Sequence, residues 1–191
     1  MNTLVLATKL GQNLNNKVLV YLNNFFSKEE IAILYNDLKS SNQWNKRNGV
    51  EETYSQLHLS PNEVGIKNKF CSMLKNKTYK IHPHIMALYP SSISPFDADY
   101  LDFFKYETNA FVGLHKDIRN VYACKNFLSL IFYINDDYEG GLIKVYEKNK
   151  LILEASPSAG DVILLEQDMQ HESTKVEKGN KYIAVHHWGY N

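Results

Sequence analysis

Cysteine is scarce in this chain, and neither sign of charge is in excess. Cys71 and Cys124 are the only cysteines among 191 residues. They are too few for a disulfide scaffold, so we expect reduced thiols in a cytoplasmic protein. The 21 lysines and arginines equal the 21 aspartates and glutamates in number, so no broad basic field would attract nucleic acid or anionic lipid. Nucleic acid is therefore not an expected partner.

Long hydrophobic runs, internal repeats and low-complexity tracts are missing as well. The apolar run from Leu4 to Ala7 gives way to polar residues and is too short for a secretory signal or a membrane span. We therefore expect no membrane contact. Hydrophobic residues still make up 44% of the chain, which is enough for one substantial core. We predict a single domain over residues 1–191.

Two helices are predicted in the first half of the chain. Ser27 and Glu30 form a capping box ahead of an apolar stripe, which predicts a helix from about Lys28 to Ser40. Ser60-Pro61-Asn62-Glu63 repeats this pattern with proline at the first helical position, and a second helix is predicted from about Pro61 to Lys75. Both stripes have the spacing of core-facing surfaces, so we expect the helices to pack on a sheet.

From Tyr79 onward, short runs rich in β-branched and aromatic residues follow one another, separated by turn-forming residues. The predicted strands are Met86–Tyr89, Tyr100–Tyr106, Phe127–Asn135, Leu142–Glu147, Leu151–Ala155, Asp161–Glu166, Glu172–Val176 and Lys181–Trp188. No helix separates them. Consecutive short strands of this kind favour a sandwich or jelly roll over an alternating parallel sheet.

Strand alternation predicts which side chains share a face. His115 and Asp117 point the same way, because successive side chains alternate across a strand. In the last strand, Lys181 and His187 share one face, and Trp188 lies on the other. The strand from Phe127 to Asn135 has one wholly apolar face, expected to pack on helices, and a second face with two hydroxyls, expected to line a polar interior.

Three residues in this half of the chain carry a recognisable metal chemistry. His115, Asp117 and His171 offer two imidazoles and one carboxylate, the set that binds non-haem Fe(II) on one face and leaves the opposite face open. Lys181 follows His171 by ten residues and supplies a cation that could anchor an acidic co-substrate. A lone His-x-Asp is weak evidence, so the ordered series of motifs around it decides the interpretation.

That series resembles the prolyl 4-hydroxylase-like branch of the 2-oxoglutarate/Fe(II)-dependent dioxygenase superfamily, from about residue 98 to the C-terminus. The matching positions are Tyr106, His115 and Asp117, Tyr133 to Asn135, Gly140-Gly141, Pro157 to Asp161, His171-Glu172 and Lys181. The resemblance implies a mainly β double-stranded β-helix, a cupin-like jelly roll with N-terminal helices packed on one sheet. Helical support would span about 17–79, and the jelly-roll core about 80–191.

The resemblance also implies the roles of these residues. His115, Asp117 and His171 would be both the catalytic residues and the metal ligands, while Lys181 with Tyr133 would hold the distal carboxylate of 2-oxoglutarate, near Tyr106. Fe(II) would be the cofactor and 2-oxoglutarate and dioxygen the co-substrates, with ascorbate as a possible reductant. Because Asp117 is a carboxylate rather than a small residue, hydroxylation of an unactivated C–H bond, with release of succinate and CO2, is favoured over halogenation.

Three functions stay open on the sequence alone. The first is hydroxylation of a prolyl residue in a peptide or protein, and the second is hydroxylation of a free amino acid or other small metabolite. The third is a noncatalytic metal-binding jelly-roll module. The sequence also leaves undecided which residue of the last strand lines the pocket. The branch commonly places a tryptophan six residues after the basic residue, but this chain has His187 there and Trp188 next. Either a bulge turns Trp188 inward or His187 lines the pocket.

Overall fold

The structure is a computed structural model that describes residues 18–41, 44–48, 52–58, 96–117, 120–121 and 124–190, with scattered positions between 70 and 83. Its elements are α1 (Lys28–Ser40) and strands β1 (Leu19–Leu22), β2 (Asn45–Asn48), β3 (Glu52–His58), β4 (Phe96–Tyr106), β5 (Phe111–His115), β6 (Asn120–Val121), β7 (Cys124–Tyr133), β8 (Glu139–Gly140), β9 (Ile143–Glu147), β10 (Lys150–Ala155), β11 (Val162–Glu166), β12 (Gln170–Ser173), β13 (Val176–Lys178) and β14 (Lys181–Tyr190). Within these ranges, no helix has the length and apolar character needed to cross a membrane.

The strands form the predicted double-stranded β-helix, or jelly roll. Hydrogen bonding runs in the order β1-β11-β7-β14-β4-β3-β5-β12-β9-β10, and β2 and β6 pair with β3 and β7. Strand β3 pairs with both β4 and β5, so it joins the two halves of the roll. Buried side chains from β7, β11 and β14 pack against those of β9 between the halves. The predicted fold class is confirmed.

Helix α1 packs on the outer face of the larger half. Ile31, Leu34 and Leu38 are its buried residues, and they belong to one apolar cluster with Leu130 and Phe132 of β7. The other face of β7 contributes Ile131 and Tyr133 to the interior of the roll. The two faces predicted for this strand are therefore confirmed.

The capping box at the start of α1 is formed as predicted. The Ser27 hydroxyl accepts a hydrogen bond from the Glu30 amide, and the Glu30 carboxylate accepts one from the Ser27 amide. These bonds satisfy two amides that a helix start leaves without intrahelical partners. The predicted bounds, Lys28 to Ser40, agree with the structure.

The end predicted for the second helix, at Lys75, is wrong. Lys77 and Ile81 lie in helical conformation beyond it, as does Phe70 before it. Phe70 and Ile81 are buried in the cluster beneath α1, and the Lys77 ammonium lies 2.6 Å from the Glu30 carboxylate. Tertiary packing thus favours helical conformation at these described positions, where sequence composition alone suggested a change. Its predicted start at Pro61 lies outside the described residues.

Several strands differ from the prediction. β1, β2 and β3 lie in the region predicted as helical support and were not predicted. The strand predicted from Glu172 to Val176 is two strands, β12 and β13, because the chain leaves β9 after Ser173 and pairs with β8 from Val176. The predicted strand Met86–Tyr89 lies outside the described residues.

Candidate active site

Two neighbouring strands bring the predicted ligands together. His115 ends β5, and His171 of β12 is its direct cross-strand partner, so the two imidazoles lie side by side with ring centroids 4.2 Å apart. Asp117 follows two residues later. Its carboxylate oxygens lie 3.4 Å from His115 Nε2 and 3.6 Å from His171 Nε2. All three ligand atoms lie within 4.8 Å of one another, close enough to hold a single metal ion.

Hydrogen bonds fix both imidazoles with Nε2 towards this cluster. His115 Nδ1 donates to the Gly113 carbonyl at 2.8 Å, and His171 Nδ1 donates to the Met169 carbonyl at 3.1 Å. A proton on Nδ1 leaves a lone pair on Nε2, which is the form that coordinates a metal. Burial lowers the pKa of His171, and the neighbouring His115 adds to this effect. His171 is therefore kept neutral, as a ligand must be.

Asp117 is held in its ionised form. Burial by itself would raise its pKa, but the contacts with His115 and Ser129 and the proximity of His171 and His187, which attract the carboxylate whenever they are protonated, together lower the pKa well below its usual value. The Asp117 amide also donates to the Gln167 carbonyl at 3.0 Å, which fixes the segment after β5. Two neutral imidazoles and one carboxylate are the donor set that suits Fe(II).

Lys181 provides a buried cation deeper in the same interior. Its side chain is 1% exposed, and its ammonium donates to the Gly141 carbonyl at 2.7 Å and to the Ser173 hydroxyl at 2.9 Å. No carboxylate of the described residues forms an ion pair with it, and burial lowers its pKa from 10.5 to about 7. A buried cation without a protein anion is a natural binding position for the carboxylate of a ligand.

Two tyrosines frame the Lys181 ammonium. It lies 5.3 Å from the ring centroid of Tyr106 and 5.4 Å from that of Tyr133. Both are distances at which a cation is attracted to an aromatic ring. Burial, followed by nearby tyrosines and Asp161, raises the pKa of Tyr133 well above 10. Its hydroxyl therefore stays protonated and can donate a hydrogen bond to a ligand.

One cavity of about 310 Å³ connects these groups. Its lining includes His115, Asp117, His171, Tyr106, Tyr133 and Lys181, so all six residues predicted for the site face the same space. The volume is at the lower end for ligand pockets. His187 lines the cavity, whereas Trp188 packs in the cluster beneath α1. Of the two alternatives that the sequence left open for the pocket wall, the structure therefore has His187 rather than Trp188 facing the cavity.

The structure adds residues that the sequence did not single out. Tyr54 of β3 lies in the cavity wall, with its ring centroid 5.4 Å from that of Phe104 and 5.9 Å from that of Tyr106. No local pattern marked β3 as part of the roll, so Tyr54 could not be placed. Ser173 was accessible to sequence reasoning, because it follows His171 by two residues and therefore shares its strand face.

Comparison with known proteins agrees with this geometry. Residues 101–190 match the family model described as the 2OG-Fe(II) oxygenase superfamily. This segment runs from β4 to β14 and contains the three clustered side chains and Lys181. No curated protein matches the chain.

Solved structures share the fold over most of the chain. A Pseudomonas putida prolyl-4-hydroxylase aligns with TM-score 0.70 and 13% identity, over 91% of this chain and 92% of that one. A Trichoplax adhaerens prolyl hydroxylase, in complex with a hypoxia inducible factor peptide fragment, gives 0.68 and 14%, over 90% and 83%. HygX from Streptomyces hygroscopicus, with nickel and 2-oxoglutarate bound, gives 0.66 and 10%, over 92% and 84%.

The family match over residues 101–190 and the fold shared with prolyl hydroxylases agree with the predicted resemblance. Fe(II) and 2-oxoglutarate, with dioxygen as oxidant, are the cofactor and co-substrates of this superfamily. The site fits them, since it offers a neutral-imidazole and carboxylate donor set beside a buried cation.

Proposed function

We propose that this chain, which resembles the 2-oxoglutarate/Fe(II)-dependent dioxygenases over its C-terminal half, hydroxylates an unactivated C–H bond of a prolyl residue in a peptide or protein. The observation that carries the proposal is the meeting of two chemically different sites in one cavity. A group of three metal-ligating side chains lies at one end, and a buried cation with no carboxylate partner in the part of the chain that the structure describes lies at the other.

We assign metal binding to His115, Asp117 and His171. Bound Fe(II) would supply an oxidant strong enough for an unactivated C–H bond, by reaction with dioxygen and 2-oxoglutarate. The protein presents Nε2 of both imidazoles and one ionised carboxylate close together, so that all three could bind one ion. The hydrogen bonds of His115 and His171 to backbone carbonyls fix those orientations before the metal binds.

We assign the distal carboxylate of 2-oxoglutarate to Lys181, with Tyr133 donating a second hydrogen bond and Tyr106 adjacent to it. The ammonium lies where a dicarboxylic acid could reach both it and the metal end of the cavity. Because the ammonium is buried, the attraction between ammonium and carboxylate is strong, and binding would remove the cost of an unpaired buried charge.

A peptide substrate is favoured by the mouth of the cavity. His115 is 39% exposed at its side chain, and Leu114, also in the cavity wall, is 48% exposed, so the metal end opens to the surface. Apolar side chains such as Val112 and Ile143 also line the cavity and would suit an apolar pyrrolidine ring. The fold relatives that act on prolyl residues support the same substrate class.

The test combines a spectroscopic and a product assay. Anaerobic addition of Fe(II) and 2-oxoglutarate should produce the weak visible absorption of the chelate, and oxygen should then yield succinate, faster with a proline-containing peptide. Asp117→Ala should abolish both signals. A protein that binds the metal but never forms succinate would be a noncatalytic module. Stimulation by free amino acids alone would instead identify a metabolite hydroxylase.

A cytoplasmic location stays a prediction.

A further inference from the structure

Three buried polar side chains lie behind Asp117, on the side away from the two histidines' own strands. Ser129 of β7 is 0% exposed, His187 of β14 is 7% exposed, and Gln167, just after β11, is 4% exposed. Burying so many polar groups in one place is unfavourable unless they satisfy one another. They belong to neither apolar cluster, although their strand faces also carry the apolar side chains of Ile131 and Ile183.

The three side chains form one connected group. His187 Nδ1 lies 3.1 Å from the Ser129 hydroxyl oxygen and 3.3 Å from Gln167 Nε2. Ser129 and His187 are direct cross-strand partners, so their proximity is set by the register of the sheet rather than by a flexible loop.

This group reaches Asp117 by two routes. A hydrogen bond from the Ser129 hydroxyl is among the causes that lower the pKa of Asp117. The main-chain carbonyl of Gln167 accepts the hydrogen bond of the Asp117 amide, while the side chain of the same residue lies beside His187. Both the carboxylate and the backbone of Asp117 are therefore held by residues of β7 and of the segment after β11, two parts of the sheet that do not contribute a ligand.

We propose that Ser129 and His187 are positioning residues: His187 Nδ1–H donates to the Ser129 oxygen, which directs the single Ser129 hydroxyl proton to the Asp117 carboxylate and keeps that carboxylate in the orientation that binds the metal. This inference rests on the proposed function, because it takes Asp117 as a ligand. Residues that orient a ligand commonly change metal affinity by about 10- to 100-fold when removed.

The position of His187 gives the proposal its specific content. The resemblance places a tryptophan at this point of the last strand in related enzymes. The imidazole of His187 has its Nδ1 3.1 Å from the Ser129 oxygen, so it can donate to that oxygen and leave the single hydroxyl proton for Asp117. The chain thus replaces a bulky apolar wall with a polar support for its carboxylate ligand.

The experiment titrates the protein with Co(II), without 2-oxoglutarate or oxygen, and follows the visible absorption that reports both affinity and coordination geometry. Ser129→Ala should raise the Kd for Co(II) about tenfold and alter the Co(II) spectrum. His187→Leu should do the same. Ser129→Thr, which keeps the hydroxyl, and His187→Asn, which keeps a polar atom near the position of Nδ1, should restore most of the affinity.

Thr174→Val is the matched control, since it removes one hydroxyl that accepts a hydrogen bond from the Leu142 amide and does not line the cavity. It should leave the Kd for Co(II) unchanged. The double variant Ser129→Ala/His187→Leu should bind Co(II) about as weakly as either single variant, because both act through the same hydrogen bonds. Circular dichroism and thermal unfolding of each variant confirm that it is folded.

These measurements distinguish a failure of the positioning role from a failure of the proposed function. If Asp117→Ala abolishes Co(II) binding while Ser129→Ala and His187→Leu bind with unchanged Kd and spectrum, the positioning role is refuted and the proposed function stands. If Asp117→Ala leaves Co(II) binding intact, the proposed function itself fails. Equal losses in the Thr and Asn variants would also overturn the proposal, since they would reflect packing rather than hydrogen bonding.

Discussion

Replacing Lys181 by methionine should stabilise the unliganded protein while weakening its binding of 2-oxoglutarate. Burial lowers the pKa of Lys181 from 10.5 to about 7. This difference corresponds to about 5 kcal/mol of unfavourable free energy for carrying the charge into the fold. Methionine has a similar shape and no charge. It leaves the Gly141 carbonyl and the Ser173 hydroxyl without their donor, at about 1 kcal/mol each, so the net gain is about 3 kcal/mol at pH 6.

The gain should depend on pH in a definite direction. Below pH 7 the lysine is charged in both the folded and the unfolded chain, so the folded state carries the whole penalty. As the pH rises from 7 towards 10.5, the folded lysine is already neutral while the unfolded one is still charged, and the penalty disappears. At pH 9 the penalty is about 2 kcal/mol, so the advantage of Lys181→Met should be close to zero.

The affinity for 2-oxoglutarate should change in the opposite sense. Losing a buried charge-assisted contact costs about 3 kcal/mol, which raises the Kd about a hundredfold. Urea unfolding at pH 6 and pH 9 measures the stability, and calorimetry at pH 6 measures the affinity. Lys178→Met, at a lysine 76% exposed at its side chain, is the matched control and should change neither quantity. A less stable Lys181→Met protein at pH 6, or an unchanged Kd, would refute the reasoning.

Three further predictions concern the turn at Gly141, the core at Phe132 and the effect of bound metal on stability. Gly141→Ala should destabilise the fold by about 1–2 kcal/mol in urea unfolding, because Gly141 has φ +59° and a Cβ there would lie 3.2 Å from Lys181 Cδ. The same substitution should raise the Kd for 2-oxoglutarate measured by calorimetry. Phe132→Ala, at a 0% exposed core position, should cost about 3–5 kcal/mol in the same unfolding assay without changing the Co(II) spectrum. Metal at a hundred times its Kd should add about 2.7 kcal/mol, and a chelator should return the melting temperature to that of the apo protein; a chelator-insensitive melting temperature would contradict metal binding.

The parts of the fold that the sequence predicted well are those in which local chemistry and long-range packing agree. The capping box at Ser27 and the stripe from Ile31 to Leu38 predict α1, because the same residues satisfy the helix start and face the core. Alternation along β7 and β14 likewise predicts their faces, since one face of each strand packs on helices and the other lines the roll.

The parts that were missed depend on partners distant in sequence. β1 has only four residues and is held by pairing with β11, more than 140 positions away. β3 lacks a regular alternation of apolar residues, and its place is set by pairing with two different strands. The network of Ser129, Gln167 and His187 was also out of reach, because it depends on sheet register and not on any local motif.

The pairing of His115 with His171 has a consequence for how the protein assembles. These side chains are cross-strand partners in β5 and β12, and sliding one strand by a single residue would turn one imidazole to the opposite side of the sheet. Only one alignment of the two strands can therefore capture an ion. An ion present during refolding would bind molecules with that strand register and would therefore stabilise them relative to molecules with a shifted register.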